Sequence, residues 1–85
     1  MKVKVLYFAS VREKLGRDVE ELDLPAGVAT VGGLRSHLRA RGGAWSEAMA
    51  EGMLLRAAVN QDMAQPAAAI KAGDEIAFFP PVTGG

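Results

Sequence analysis

The sequence contains no cysteine, so the chain has no disulfide, no thiolate nucleophile and no cysteine-based metal site. An excess of one charge is also missing, because ten lysines and arginines balance ten aspartates and glutamates. This balance argues against a nucleic-acid binder and against a polybasic membrane anchor. No apolar run approaches the roughly 20 residues of a membrane span, and the first residues alternate too strongly for a signal peptide. We therefore expect a cytoplasmic protein that binds neither nucleic acid nor membrane.

Candidates for conventional catalysis are equally scarce. His37 is the only histidine, and its helical position predicts a surface side chain without the positioned partner that a general base needs. The acidic residues between 18 and 23 alternate along a predicted strand, which predicts solvated edge charges and no metal shell. The glycine pairs at 32–33 and 42–43 lack the spacing of a phosphate-binding loop. The residues therefore predict no intrinsic cofactor, no metal and no conventional active site.

What the sequence does contain is the composition of one small globular domain, with 85 residues of which 49% are hydrophobic and 24% charged. Residues 2–8 alternate and are rich in valine and aromatics, which predicts a first strand. Val3, Val5 and Tyr7 fall on one face of this strand, whereas Leu6 and Phe8 fall on the other. The first and last strands flank one good helix and carry most of the apolar residues, which predicts that the two are parallel neighbours at the centre of a mixed sheet.

Between these two strands the pattern predicts one good helix and several short elements. Thr30 stands at an N-cap position before apolar residues at helical spacing, which predicts the main helix at about 31–41. Ser10 and Glu13 fit a capping box that would begin a short helix ending at Gly16. The remaining predictions are an edge strand at 18–24, a short helix at 44–52 that packs through Trp45, Met49 and Met53, a strand at 54–60, a polar turn at 60–66 and a last strand at 75–80. The fold class is therefore α+β, a mixed sheet packed on one main helix.

The last eight residues, "FFPPVTGG", are the most unusual stretch. Alternation puts Phe78 and Phe79 on opposite faces of the last strand, so that one of them is available to a partner. Pro80 and Pro81 cannot donate to the sheet and end the strand. The pattern predicts a domain over residues 1–81 and a mobile tail over residues 82–85 that becomes ordered only in a partner.

The tail and several other stretches carry a family resemblance. "GDEIAFFPPVTGG" closely resembles the C-terminal signature of the small subunits of molybdopterin synthase, which are ubiquitin-like sulfur-carrier proteins. "KVLYFASVRE" and "LLRAAVNQ" look like the same family, so the resemblance covers nearly the whole chain. It implies the ubiquitin-like β-grasp fold.

The resemblance also implies a chemical role for the last residue. Gly85 would be adenylated with ATP by an E1-like activating enzyme and then converted to a thiocarboxylate, a 1-thioglycine. The sulfur would go to cyclic pyranopterin monophosphate to form the dithiolene of molybdopterin. The chain would be a non-catalytic sulfur donor, in a heterotetramer of two small and two large subunits.

The resemblance assigns the tail to the large subunit, and the residues indicate which surface would accompany it. Val82, Thr83 and Gly84 would follow Pro80 and Pro81 into the partner. We expect Phe79 to be exposed with Phe8 beside it, and Met63 to contribute an apolar side chain from a polar turn. The alternatives are a sulfur carrier for thiamine thiazole or another pathway, and a ubiquitin-like modifier joined to lysines. A plain interaction domain remains the third class, and it would not need its terminal glycines.

Overall fold

The structure is a computed structural model that describes residues 1–81. Its elements follow in the order β1 Lys2–Tyr7, α1 Ala9–Leu15, β2 Val19–Asp23, α2 Val31–Arg39, α3 Ala44–Ala48, β3 Arg56–Val59, β4 Asp62–Ala64 and β5 Glu75–Phe79. The strands form one five-stranded sheet in the order β2-β1-β5-β3-β4. The predicted α+β class is confirmed, and β5 is the central strand.

The first and last strands are parallel neighbours, as the sequence predicts, with Tyr7 opposite Phe78 in register. All other pairings in the sheet are antiparallel. One face of the sheet packs on α2, and its core side chains are fully buried, among them Val5, Tyr7, Ile76 and Phe78. Helix α2 contributes the predicted apolar stripe of Val31, Leu34 and Leu38 to the same core.

The two predicted helix starts have different outcomes. The hydroxyl of Thr30 accepts a hydrogen bond from the backbone N–H of Gly33 at 3.0 Å, so the predicted cap of α2 is confirmed. The predicted capping box of α1 is wrong, because the helix begins at Ala9 and Phe8 occupies the N-cap without a side-chain bond. Instead, the Phe8 carbonyl accepts from two helical N–H groups while its own N–H donates to Phe78 of β5. Sheet pairing thus fixes where the helix begins.

The segment predicted as a polar turn at 60–66 contains a strand that the sequence analysis missed. Asn60 and Gln61 form a tight turn in which both residues have positive φ, 49° and 73°. The chain then returns as β4, an edge strand antiparallel to β3. The backbone of such a two-residue turn matches the right-handed twist of the two strands of a hairpin, and the turn favours asparagine and glycine at these positions. The sequence did not indicate a hairpin, because glutamine occupies the second position where glycine is usual.

Replacing Gln61 by glycine should stabilise the fold by about 0.5–1 kcal/mol, because a left-handed conformation costs a non-glycine residue about that much or more. The midpoint of urea unfolding should rise with an unchanged slope. The matched control is Gln65→Gly, at an exposed glutamine for which no positive φ is found, where glycine should destabilise through lost chain stiffness. Equal effects at both positions would contradict the assignment of strain to Gln61.

The half-buried carboxylate of Glu20, in the edge strand β2, forms ion pairs with two arginines. Glu20 accepts hydrogen bonds from the Tyr7 hydroxyl at 2.7 Å and from the guanidinium groups of Arg17 and Arg41, each at 2.8 Å. The Arg41 guanidinium carbon also lies 4.4 Å from the ring centroid of Trp45. Burial alone would raise the pKa of the Glu20 carboxyl, but these hydrogen bonds and positive charges outweigh it and lower the pKa. The prediction of a solvated edge charge is therefore wrong for Glu20, whereas the predicted packing of Trp45 is confirmed.

Candidate functional site

The central strand β5 leads directly to the tail. Phe78 is buried in the core, and Phe79 points to the opposite face of the sheet, as alternation predicts. Pro80 and Pro81 follow at the end of the strand and are half-buried. The remaining predicted tail residues, Val82, Thr83, Gly84 and Gly85, lie outside the described residues.

The sheet face opposite α2 carries a continuous row of apolar side chains. The strand registers align Val19, Leu6, Ala77, Ala58 and Met63 across all five strands. Phe8 and Phe79 each follow the last paired residues of the parallel strands β1 and β5. We call this surface the outer apolar face, formed by Leu6, Phe8, Val19, Ala58, Met63, Ala77 and Phe79.

Exposure on the outer apolar face is greatest near the tail and at the sheet edge. Phe8 is 44% exposed and Met63 61% exposed. Large apolar side chains with such exposure on one surface are typical of a binding surface. Without a partner to cover them, they would promote aggregation. The face adjoins the point where the tail begins, so that one partner could cover both.

The structure places the three side chains that the sequence analysis selected for docking on one face of the sheet, but two details differ from expectation. Phe79 is half-buried where exposure was expected, because it lies between the end of β1 and Arg56 of β3. Met63 lies in the edge strand β4 where a turn was expected. Their role in docking stays a prediction.

Within residues 1–81 no group of three histidine, cysteine, aspartate or glutamate side chains could hold a metal ion. His37 is half-buried, where a surface position was expected. None of the helices in the described part of the chain is long and apolar enough to cross a membrane. The candidate site is the outer apolar face, whose exposed side chains lie beside the start of the tail.

A second exposed apolar pair was missed by the sequence analysis. Leu54 is 78% exposed and Met53 40% exposed, although Leu54 was predicted within a strand and Met53 in the packing of α3. Strand β3 begins only at Arg56, which leaves both residues in the loop before it. Continuous apolar residues from 53 to 55 gave no signal of a loop.

This loop is held in place by Arg35 of α2. Its guanidinium donates hydrogen bonds to the carbonyl oxygens of Met49 at 3.0 Å, of Met53 at 2.8 Å, and of Ala50. Carbonyl groups at a helix end lack helical partners, and a cation satisfies them well. The backbone that leads to Leu54 is thus anchored by a side chain from another element.

Comparison with known proteins identifies relatives over nearly the full length. The sequence profile of the ThiS family matches residues 5–85. The chain is 48% identical to the protein named molybdopterin synthase sulfur carrier subunit of Escherichia coli strain K12, over 98% of this chain and 99% of that protein.

Two solved structures resemble the fold closely. Molybdopterin converting factor subunit 1 from Pyrococcus furiosus superposes with a TM-score of 0.78 and 33% identity, over 96% of this chain and 99% of that chain. Small archaeal modifier protein 1 from Haloferax volcanii superposes with a TM-score of 0.74 and 27% identity, over 95% of this chain and 98% of that chain. The ubiquitin-like β-grasp fold predicted from the sequence is confirmed.

Proposed function

The chain belongs to the ThiS family, and from this premise we propose that it is the sulfur carrier subunit of a molybdopterin synthase. The observation that carries the proposal is the near full-length identity of 48% to a protein of that name. The proposal is supported by the exposed apolar side chains of the outer apolar face, which lies beside the start of the tail and suits a carrier that docks on a partner.

The reacting atom in this proposal is the carboxyl carbon of Gly85. A C-terminal carboxyl has an ordinary pKa of about 3.5, so at neutral pH it is an ionised and poor electrophile. An E1-like enzyme would join it to the AMP portion of ATP and release pyrophosphate. Sulfur would then displace AMP and leave a thiocarboxylate. The chain has no cysteine, so no internal thiol competes for the activated carbonyl.

Delivery requires a second partner, the large synthase subunit. The outer apolar face would dock on that subunit and direct the tail into its pocket, where the sulfur passes to cyclic pyranopterin monophosphate. Two deliveries are needed for each dithiolene, which suits an assembly of two small and two large subunits. Catalytic groups would come from the large subunit.

Intact mass measures the modification directly. After incubation with the activating enzyme, ATP and a sulfur source, the mass of the chain should rise by about 16 Da, the difference between sulfur and oxygen. The control omits ATP and should show no change. An unchanged mass in the complete mixture would refute the sulfur-carrier proposal.

Replacing Phe79 by alanine should weaken binding to the large subunit by about 1–3 kcal/mol, because loss of an interface aromatic typically costs that much. Calorimetric titration measures the affinity, and circular dichroism checks the fold. A matched control is Val28→Ala, which removes a half-buried apolar side chain packed against the core and should leave affinity unchanged. Unaltered affinity of the Phe79 variant would exclude the outer apolar face as the docking surface.

The second candidate is a ubiquitin-like modifier, which the resemblance to small archaeal modifier protein 1 favours. It shares the adenylation of Gly85 but ends in an amide bond to a lysine of a target protein. Immunoblots of cell extract would then show the chain in conjugates of higher mass that need ATP. A carrier for thiamine thiazole is the third candidate, and transfer of labelled sulfur to a pterin separates it from the first.

A further inference from the structure

A groove lies beside Pro80, just before the tail begins, and is bordered by helices α1 and α3. It has a volume of about 180 Å³, and its walls include Val11 of α1, Ala48 of α3, Leu55 and Pro80. Met53 and Leu54 lie along the same groove and are the exposed residues of the loop that Arg35 holds. Lys14 also lines it, so that a positive charge lies beside an apolar cleft.

We propose that this groove is a second docking site for the large synthase subunit, accepting an apolar side chain of that subunit and a carboxylate beside Lys14. The inference rests on the proposed function, since that function requires the large subunit to enclose the tail. It adds a contact surface distinct from the outer apolar face. Pro80 joins the two surfaces, because it follows Phe79 and also lines the groove.

The reach of the tail requires the partner to cover this region. Gly85 lies four residues beyond Pro81, and four residues span at most about 14 Å when fully extended. A partner that holds Gly85 inside a pocket must therefore bring its surface close to Pro81. A groove whose wall includes Pro80 lies within that footprint.

The exposure of Leu54 also needs an explanation that folding does not supply. A leucine side chain held in water forgoes about 1.5–3 kcal/mol of burial, and a loose loop could turn it inward. Arg35 opposes such a movement, because it anchors the backbone before Leu54 through the carbonyl oxygens of Met49 and Met53. An exposed apolar side chain on an anchored loop beside an apolar groove is typical of a binding anchor.

The test is calorimetric titration of the chain into the purified large subunit encoded by the same genome. Leu54→Ser should raise Kd roughly tenfold, as loss of an apolar anchor does, while Leu54→Met, which keeps an apolar side chain of similar size, should restore affinity. Lys14→Glu should also raise Kd, whereas Lys71→Glu, an exposed lysine before β5 at the opposite end of the sheet, should not. Thermal unfolding of each variant checks that the fold is retained.

Two outcomes would overturn the inference. If Leu54→Ser leaves Kd unchanged while Phe79→Ala raises it, the proposed function stands and the groove is not a docking site for the large subunit. If Leu54→Ser slows only ATP-dependent adenylation, the groove serves the activating enzyme instead. If the unaltered chain fails to bind the large subunit at all, the proposed function itself fails.

Discussion

Removal of Gly85 should abolish both adenylation and sulfur transfer while leaving thermal stability nearly unchanged. The reason is the length of the tail, because the loss of one residue moves the reactive carbon by about 3.3–3.6 Å. A displacement of about 1 Å from the productive geometry can already cost on the order of a hundredfold in rate. Stability should not change, because the core residues in the described part of the chain all lie before Pro80.

The assays are pyrophosphate exchange with the activating enzyme and pterin sulfuration with the large subunit. One extra glycine after Gly85 should inactivate the chain as deletion does, since it moves the reactive carbon by the same distance in the other direction. Gly84→Phe should inactivate it by blocking a channel suited to residues without side chains. The control Ala72→Gly alters an exposed loop residue before β5, at the opposite end of the sheet, and should retain full activity.

Near normal rates in both assays without Gly85 would refute the sulfur-carrier function. A plain interaction domain would then become the best explanation, because such a domain binds through its folded surface and can lose its terminal glycines. Loss of pterin sulfuration with normal adenylation would instead locate the length requirement in the large subunit alone.

Strong periodic signals allowed most of the fold to be predicted from the sequence. Val3, Val5 and Tyr7 alternate in a strand and are all buried, and α2 begins at the predicted cap Thr30. The predictions that failed concern features that are set by residues distant in the sequence. The start of α1 is set by pairing of Phe8 with β5, and no local pattern reports such a contact.

In the candidate site, too, local patterns predicted some features and missed those that depend on distant residues. Alternation assigned Phe79 to the outer face of the sheet, and Met63 was chosen as an apolar residue in a polar stretch, while their role in docking stays a prediction. Leu54 was missed because it lies in a loop whose backbone is bonded to Arg35 of α2. The half-buried Glu20 was missed for a similar reason, since Arg41, one of its partners, lies 21 residues away. Long-range side-chain contacts are invisible to periodicity.

Asp74 carries the largest expected effect on stability. It is the buried charged residue among those described, at 6% exposure. Its carboxylate accepts hydrogen bonds from the Asn60 side chain at 3.0 Å and from the backbone N–H of Lys71 at 2.9 Å. These bonds join the turn of the β3–β4 hairpin to the turn before β5. Hydrogen bonds from Asn60 and from the Lys71 backbone lower the pKa of the Asp74 carboxyl.

Asp74→Asn should lower the free energy of unfolding by about 1–3 kcal/mol at neutral pH, because one amide NH₂ would face a donor and leave it unsatisfied. Rotation of Asn60 cannot relieve this clash, since its side-chain oxygen already accepts from the backbone N–H of Glu75 at 3.0 Å. Urea unfolding measures the loss, and Asp62→Asn, at an exposed aspartate of β4, is the control.

The pH dependence of that loss identifies its cause. A lowered pKa in the folded state means that the carboxylate stabilises the fold fully above the unfolded pKa of about 3.9. The contribution disappears as the pH falls through the lower folded pKa, because the folded state must then take up the proton. The difference between the unaltered chain and Asp74→Asn should therefore be constant from about pH 5 to 8 and shrink in stronger acid. A difference that stays constant down to pH 2 would mean that the variant loses packing, and that the charge of Asp74 contributes nothing to stability.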